Sequence, residues 1–248
     1  MAGRVVVITG ASAGIGAALA EQLSVRGDSV VLVARGAEAL AAVAARCGGN
    51  TLTLVTDVTR RDDVTRAVEA AIARFGRIDV WVNNAGRGIS RLPSQLTDED
   101  IDEMMAVNLK SALYGMQETL PHFRERGDGH VINVSSLLGR VPFALIRSAY
   151  SASKHALNSL TQNFRTEVQE KHPGIQYSIV SPGVVATDFG NKARHGGPDS
   201  RSLPNTQTAE EVAAVIASVI DSRLPDVYTR AGASQMIASH YATLGVDA

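Results

Sequence analysis

The architecture is written into Val5-Val6-Val7-Ile8-Thr9-Gly10-Ala11-Ser12-Ala13-Gly14-Ile15-Gly16. Val5 to Ile8 is a β-branched run of the kind found in a short strand buried on both faces. A glycine-rich turn follows at once, and Ala17 to Val25 is a helix of strong formers ending near Gly27. Strand, glycine turn and helix together make a phosphate cradle. Glycines let the backbone approach a pyrophosphate, and the helix N-terminus aims free N–H groups and a partial positive charge at it. The spacing is Gly-x3-Gly-x-Gly, not the more familiar Gly-x-Gly-x-x-Gly. Such a turn alone is often structural. With both flanks in place it points to a dinucleotide, held by Gly10, Ser12, Gly14, Ile15 and Gly16.

Downstream, strands and helices keep alternating. Ser29 to Ala34 is a second strand, whose end meets the adenosine ribose in a dinucleotide fold. A carboxylate there would bond the 2′-hydroxyl of NAD and repel a 2′-phosphate. This chain has Ala34 and then Arg35, a small neutral residue followed by a guanidinium, which suits the phosphate of NADP(H). A third strand, Thr51 to Val55, ends at Asp57-Val58. Asp57 there can accept from the adenine amino group or cap the helix Arg60 to Phe75. The fourth strand, Ile78 to Val82, runs into Asn83-Asn84-Ala85-Gly86, at the carboxyl end where open α/β sheets bind ligands.

Thr97 to about Phe123 is the longest helical stretch, with Thr97-Asp98-Glu99-Asp100 as its N-cap and acidic first turn. Asn108 interrupts it. Asparagine competes for backbone bonds, so the residue either lies on a solvated face or marks a kink facing the site. Further strands are Gly129 to Val134, closed by Ser135-Ser136, then Ile175 to Val180, closed by Ser181-Pro182-Gly183, and Asp226 to Thr229. Thr208 to Ser222 is an amphipathic helix, and Ala233 to Leu244 a terminal one. Residues 187–205, rich in glycine and proline with little periodicity, form one long irregular loop, a candidate substrate lid. The alternation predicts a Rossmann-type, doubly wound α/β fold: a parallel sheet of about seven strands with helices on both faces, in a single domain over 1–248.

Bulk properties are permissive. The 248 residues carry a formal net charge of −1, which gives no sign of a nucleic-acid binder. Cys47 is the single cysteine, so no intrachain disulfide or cysteine metal cluster is expected. Met1 leads almost directly into the first strand, and the longest apolar run, Val212 to Ile220, is far short of a membrane span. A cytoplasmic protein with no membrane partner is the expectation.

The chemistry lies in Tyr150-Ser151-Ala152-Ser153-Lys154. Four residues apart on a helix, Tyr150 and Lys154 share a face. A lysine charge ~5 Å away, at an effective dielectric of ~20, favours the phenolate by roughly 3 kcal/mol. A phenol so tuned serves as a general acid or base.

Taken in order, Thr9-Gly-x3-Gly-Ile-Gly16, Asn83-Asn-Ala-Gly86, Asn108, Ser136, Tyr150-x3-Lys154 and Pro182-Gly183 resemble the short-chain dehydrogenase/reductase family over residues 3 to 232. The resemblance implies an NADP(H)-dependent enzyme interconverting a ketone or aldehyde and an alcohol. Tyr150 is then the proton donor or acceptor, and Lys154 tunes it and holds the nicotinamide ribose. Ser136 bonds the substrate oxygen, and Asn108 holds a water leading from Lys154 to solvent. Asn84, Ala85 and Gly86 lie along the cofactor, and Pro182, Gly183, Val185 and Thr187 sit at its carboxamide. Ser136 lies 14 residues before Tyr150, one more than in many members, so the loop holds an extra residue. Residues 233–248 form a C-terminal extension over the pocket or a subunit contact. A homodimer or homotetramer is implied by the resemblance alone. Leu137, Leu138, Phe143, Leu145, Ile146, Val184 and Phe189 favour an apolar carbonyl substrate. One alternative is a 3-oxoacyl-[acyl-carrier-protein] reductase, which needs a basic docking surface such as Arg124 and Arg126. The other is a catalytically silent NADP-binding sensor, from which loss of the Tyr or Lys would be expected.

Overall fold

A computed structural model describes residues 3–244; Met1, Ala2 and residues 245–248, the end of the expected extension, lie outside the described residues. The strands are β1 (Val5–Thr9), β2 (Ser29–Ala34), β3 (Thr51–Val55), β4 (Val80–Asn83), β5 (Gly129–Val134), β6 (Ile175–Ser181) and β7 (Asp226–Tyr228). Their side chains alternate between two packed layers, as the pleat requires. Val6 and Ile8 of β1 join Val30 and Leu32 of β2 on one face, with Val5, Val7, Val31 and Val33 on the other. Both sets are buried, which is why these strands read as unbroken apolar runs instead of an apolar–polar alternation.

The first face is covered by α1 (Gly14–Val25), α2 (Ala37–Ala44) and, from the far end of the chain, a helix over Ala209–Ser222. The second is covered by α3 (Arg61–Phe75) and by two long helices, Ser111–Arg126 and Ser148–Gln169. Preceding Ser111–Arg126 and packed against Ser148–Gln169 is α4 (Asp98–Met105); the long helices are α5 and α6, the Ala209–Ser222 helix is α7, and α8 (Ala233–Tyr241) ends the described fold. Thr97 and Thr208 close reciprocal capping boxes with Asp100 and Glu211, which fixes where α4 and α7 begin.

All neighbouring strands are parallel, in the order β3-β2-β1-β4-β5-β6-β7. The chain steps outward from β1 to β3, then returns to lay β4 on the other side of β1. The crevice at the carboxyl ends of β1 and β4 is therefore a topological switch point, the place where such sheets take ligands. The helix expected from Thr97 to about Phe123 is not continuous. Ala106–Lys110 forms a π-turn between α4 and α5, with Asn108 at its centre and 1% exposed, so the solvated-face alternative is excluded.

Candidate active site

At the switch point the glycine turn and the end of β4 are stitched together. The Asn84 amide side chain donates to the Thr9 carbonyl at 2.9 Å, and the backbone N–H groups of Asn84 and Ala85 both donate to Thr9 Oγ1 at 3.0 Å. Thr9 is thus a positioning residue that the glycine pattern did not single out. Gly10 adopts φ +65°, open to glycine at little cost. At Gly16 a Cβ would lie 2.5 Å from the Gly10 carbonyl oxygen, so the close helix–turn approach admits only glycine. The N-cap of α1, Ala13, makes no side-chain bond, and the first turn holds no acidic residue. Its N–H groups are left facing the crevice without a local carboxylate, which fits a pyrophosphate.

Arg35, exposed at the end of β2, forms no ion pair among the described residues. Asp57 lies near enough to feel its charge. Burial raises the Asp57 carboxyl, but hydrogen bonds from Thr59 and the charges of Arg35 and Arg60 outweigh this and lower it. Asp57 does not cap α3: its Oδ1 accepts from Thr59 N–H at 3.0 Å and the Thr59 hydroxyl at 2.7 Å, and the N-cap Arg60 makes no side-chain bond. Val58, beside it, packs on the core. On the opposite rim, Leu137 N–H bonds the Pro182 carbonyl at 2.8 Å, while Val185 bridges to Gln207. The Thr187 methyl lies 3.1 Å from the point a Gly14 Cβ would occupy, so the two expected cofactor segments do meet. These residues suit a dinucleotide, whose nicotinamide would supply a hydride.

The helix α6 brings Tyr150 to the same rim. The phenol is 7% exposed, its ring packed edge-on against Phe189 at 5.5 Å between centroids. The sequence spacing predicts a phenol made more acidic by Lys154. Burial reverses that here: the phenol is pushed up to about 12, opposed by a hydrogen bond with Ser136 and by the charge of Arg147. The Lys154 ammonium donates to the Val134 carbonyl at 2.9 Å and lies 5.9 Å from the Tyr150 ring centre. Burial in turn lowers Lys154 to about 8. Asn108 Oδ1 and Lys154 Nζ flank Gly86, 3.2 and 3.7 Å from where its Cβ would stand. Asn108 accepts from Arg87 N–H at 2.9 Å and donates to the Arg87 carbonyl at 3.0 Å, bonds that hold the π-turn toward the site. Ser136 sits on the phenol, whereas the buried Ser135 hydroxyl faces Gly139 without a hydrogen-bond partner.

Not every expected wall residue lines this rim. Leu138 packs with Tyr150, Ile89 and Met104, but Leu137 turns the other way, into a cluster with Val141, Ala233 and Ile237. Phe143 meets His240 of α8 edge-on, and the Tyr241 hydroxyl donates to the Arg140 carbonyl. The described part of the C-terminal extension therefore braces the loop that leads into Tyr150.

Segment 187–205 is held to α4 by a charge cluster invisible in the motifs. Asp100, with no exposed surface, meets Arg194, Arg91 at 2.9 Å and His195 at 2.8 Å; Glu103 meets Arg194 and Arg87. Burial raises the Asp100 carboxyl, but bonds from His195, Thr97 N–H, Arg91 and Arg194 more than offset this and hold it well below the ordinary range. Since the folded carboxyl is the harder one to protonate, the cluster stabilises the fold above about pH 4 and weakens as pH falls toward the folded pKa. Asp100→Asn is expected to speed tryptic cleavage within 187–205 on the order of tenfold at pH 7. An equally protected variant would show that the cluster does not hold the segment.

A family model described as short chain dehydrogenase matches residues 4–197. The chain belongs to the short-chain dehydrogenase/reductase family. An uncharacterized oxidoreductase of Staphylococcus epidermidis is 35% identical over 197 residues, 77% of this chain and 84% of its own. A short chain dehydrogenase/reductase from Burkholderia phymatum, in complex with NAD, superposes with a TM-score of 0.87 at 24% identity, over 99% of this chain and 97% of that one. An alcohol dehydrogenase from the archaeon Thermococcus sibiricus, complexed with 5-hydroxy-NADP, gives 0.79 at 26% identity, over 91% and 95%. As a member of this family the chain is an oxidoreductase acting between CH–OH and C=O on a small molecule. No helix among the described residues is long and apolar enough to cross a membrane.

Proposed function

We propose that this short-chain dehydrogenase/reductase uses NADPH to reduce a ketone or aldehyde with an apolar body, Tyr150 giving the proton to the carbonyl oxygen. The observation that carries this is the buried Tyr150 phenol with Ser136 near enough to lower its pKa and Lys154 one turn further along α6. A phenol with a pKa near 12 stays in its acid form at neutral pH, the form that donates to a carbonyl oxygen as negative charge develops there. Ser136 supplies a second contact to that oxygen. Lys154 and Asn108 on either side of Gly86 provide a route by which the tyrosine regains its proton. Phe189 and Leu138 exclude water from the phenol and offer apolar contact to the substrate body.

NADP(H), not NAD(H), is favoured by Arg35, an exposed guanidinium that makes no ion pair among the described residues and stands where a 2′-phosphate would reach. Arg35→Ala is expected to weaken NADPH binding roughly 10- to 100-fold and NADH binding less than about threefold, as for loss of a charge-assisted bond. Equal losses in fluorescence titrations would overturn that choice. The carrier-protein alternative gains nothing here, since Arg124 and Arg126 are already paired with Glu167 and Asp79. NADPH consumption followed by absorbance across a panel of ketones and aldehydes tests the reading. Turnover of at least one carbonyl supports it; tight NADPH binding with no turnover favours a silent sensor.

A further inference from the structure

Three residues before Tyr150, at the N-cap of α6, stands Arg147. Its guanidinium is half-buried, and its Nη1 donates to the Ile89 carbonyl at 2.9 Å. Among the described residues it meets no carboxylate, and its Nε and Nη2 make no hydrogen bond. The neighbouring arginines differ: Arg87, Arg91 and Arg194 are each paired with Glu103 or Asp100, so the acids at this rim are already committed. Arginine does not deprotonate, so this is a standing positive charge partly withdrawn from water.

Glycines on two sides let the guanidinium pack closely. A Cβ on Gly88 would lie 2.9 Å from Arg147 Nη1 and 2.9 Å from the Phe189 ring. On Gly197 a Cβ would lie 2.9 Å from Nη2 and 2.7 Å from Ser90 Oγ. That Ser90 hydroxyl is itself buried without a hydrogen-bond partner. The unsatisfied Ser90 hydroxyl and the solvent-reaching Arg147 Nη2 thus both lie against Gly197, beside the Gly190 carbonyl oxygen 2.9 Å from the same point. Arg147 lies beside the phenol, since it and the Phe189 ring meet at Gly88, Phe189 packs on Tyr150, and the Arg147 charge acts on the phenol. Beyond the Ile89 carbonyl the half-buried guanidinium has only water to bond, so an anion that replaces that water and reaches the buried Ser90 hydroxyl is favoured at this spot. The free Nε–Nη2 edge of a guanidinium matches the two oxygens of a carboxylate. Among the described residues, no second unpaired cation stands here to match a phosphate dianion.

We propose that Arg147 and Ser90 form the anchor for a carboxylate on the substrate, so that the physiological carbonyl compound is an oxo acid. This rests on the reductase reading above and narrows its substrate class. The carbonyl sits at Tyr150 and Ser136, the apolar body lies against Phe189, and the carboxylate reaches Arg147 one helical turn away.

The test compares 2-, 3- and 4-oxo acids with their methyl esters under NADPH. Wild-type protein is expected to favour the acid by about tenfold or more in kcat/KM for at least one chain length. Arg147→Met should bring that ratio to within about threefold, mostly through KM, and Arg147→Lys should restore part of it. A wild-type preference for the esters, or an acid-to-ester ratio unmoved by Arg147→Met, overturns the anchor while leaving the reductase intact. Failure to turn over any acid or ester while another ketone or aldehyde is reduced overturns the anchor alone; no carbonyl reduced at all, with NADPH still bound, takes down both readings. Should Arg147→Met not fold, Ser90→Ala carries the same comparison: a ratio lowered about threefold or more supports the anchor, and an unchanged ratio overturns it.

Discussion

Tyr150→Phe is expected to cut turnover by ~10²-fold or more while leaving NADPH affinity within about threefold of wild type. The substitution deletes one hydroxyl and keeps the ring, so the edge-on packing with Phe189 and the apolar contacts to Ile89, Met104 and Leu138 persist. The Lys154 ammonium keeps its bond to the Val134 carbonyl, because that bond does not involve the phenol. The proposed pyrophosphate and adenosine contacts lie elsewhere, at the β1–α1 turn and Arg35. What disappears is the proton source and one partner of Ser136. Stopped-flow turnover beside NADPH fluorescence titration separates the two quantities. Retained turnover would remove Tyr150 from the chemistry, whereas a parallel collapse of NADPH affinity would recast the tyrosine as a cofactor-binding residue.

Much of the fold is legible in the chain because its signals are local. Val30-Val31-Leu32-Val33 is an unbroken apolar run, too short for a helix and rich in β-branched residues, and Gly27 and Gly36 bracket it, so a strand buried on both faces is the one reading left for β2. The π-turn at Asn108 is half legible. Asparagine inside a strong helix signals conflict, but only the Arg87 backbone, brought across from the end of β4, selects a bulge over a solvated face. The chemistry of the phenol is legible in neighbour but not in strength. Spacing places Lys154 one turn from Tyr150, yet spacing contains no burial, and burial is the larger influence on both groups.

Contacts between distant segments are not legible at all. Asp100 and Arg194 are far apart in the chain and carry no motif; only the parallel run of Ile89 beside Arg194 brings them together. Leu137 illustrates the opposite error. An apolar residue just before the catalytic helix reads as a pocket wall, but α8 competes for it and wins by burying it with Ile237. Arg147 is silent in the sequence for a related reason. Its position in a loop beside Tyr150 is plain, while its significance depends on which acids are already paired.

Ser136→Ala is expected to lower kcat by ~10²- to 10³-fold, as for removal of one donor to a developing oxyanion, and Ser135→Ala to change it less than about threefold. Adjacent serines at a strand end point to opposite sides, and the structure separates them by partner. Ser136 Oγ accepts from Leu138 N–H at 3.1 Å, which leaves its own proton free for a carbonyl oxygen bound near the Tyr150 phenol. Ser135 Oγ lies against Gly139, buried and unsatisfied, where no substrate oxygen can reach. Deleting an unpartnered buried hydroxyl relieves a desolvation cost, so Ser135→Ala should melt at or slightly above the wild-type temperature. Steady-state kinetics on both variants, with thermal melts as the folding control, decide the matter. A severe Ser135→Ala beside a mild Ser136→Ala would mean that the extra loop residue before Tyr150 shifts the register by one and hands the oxyanion contact to the other serine.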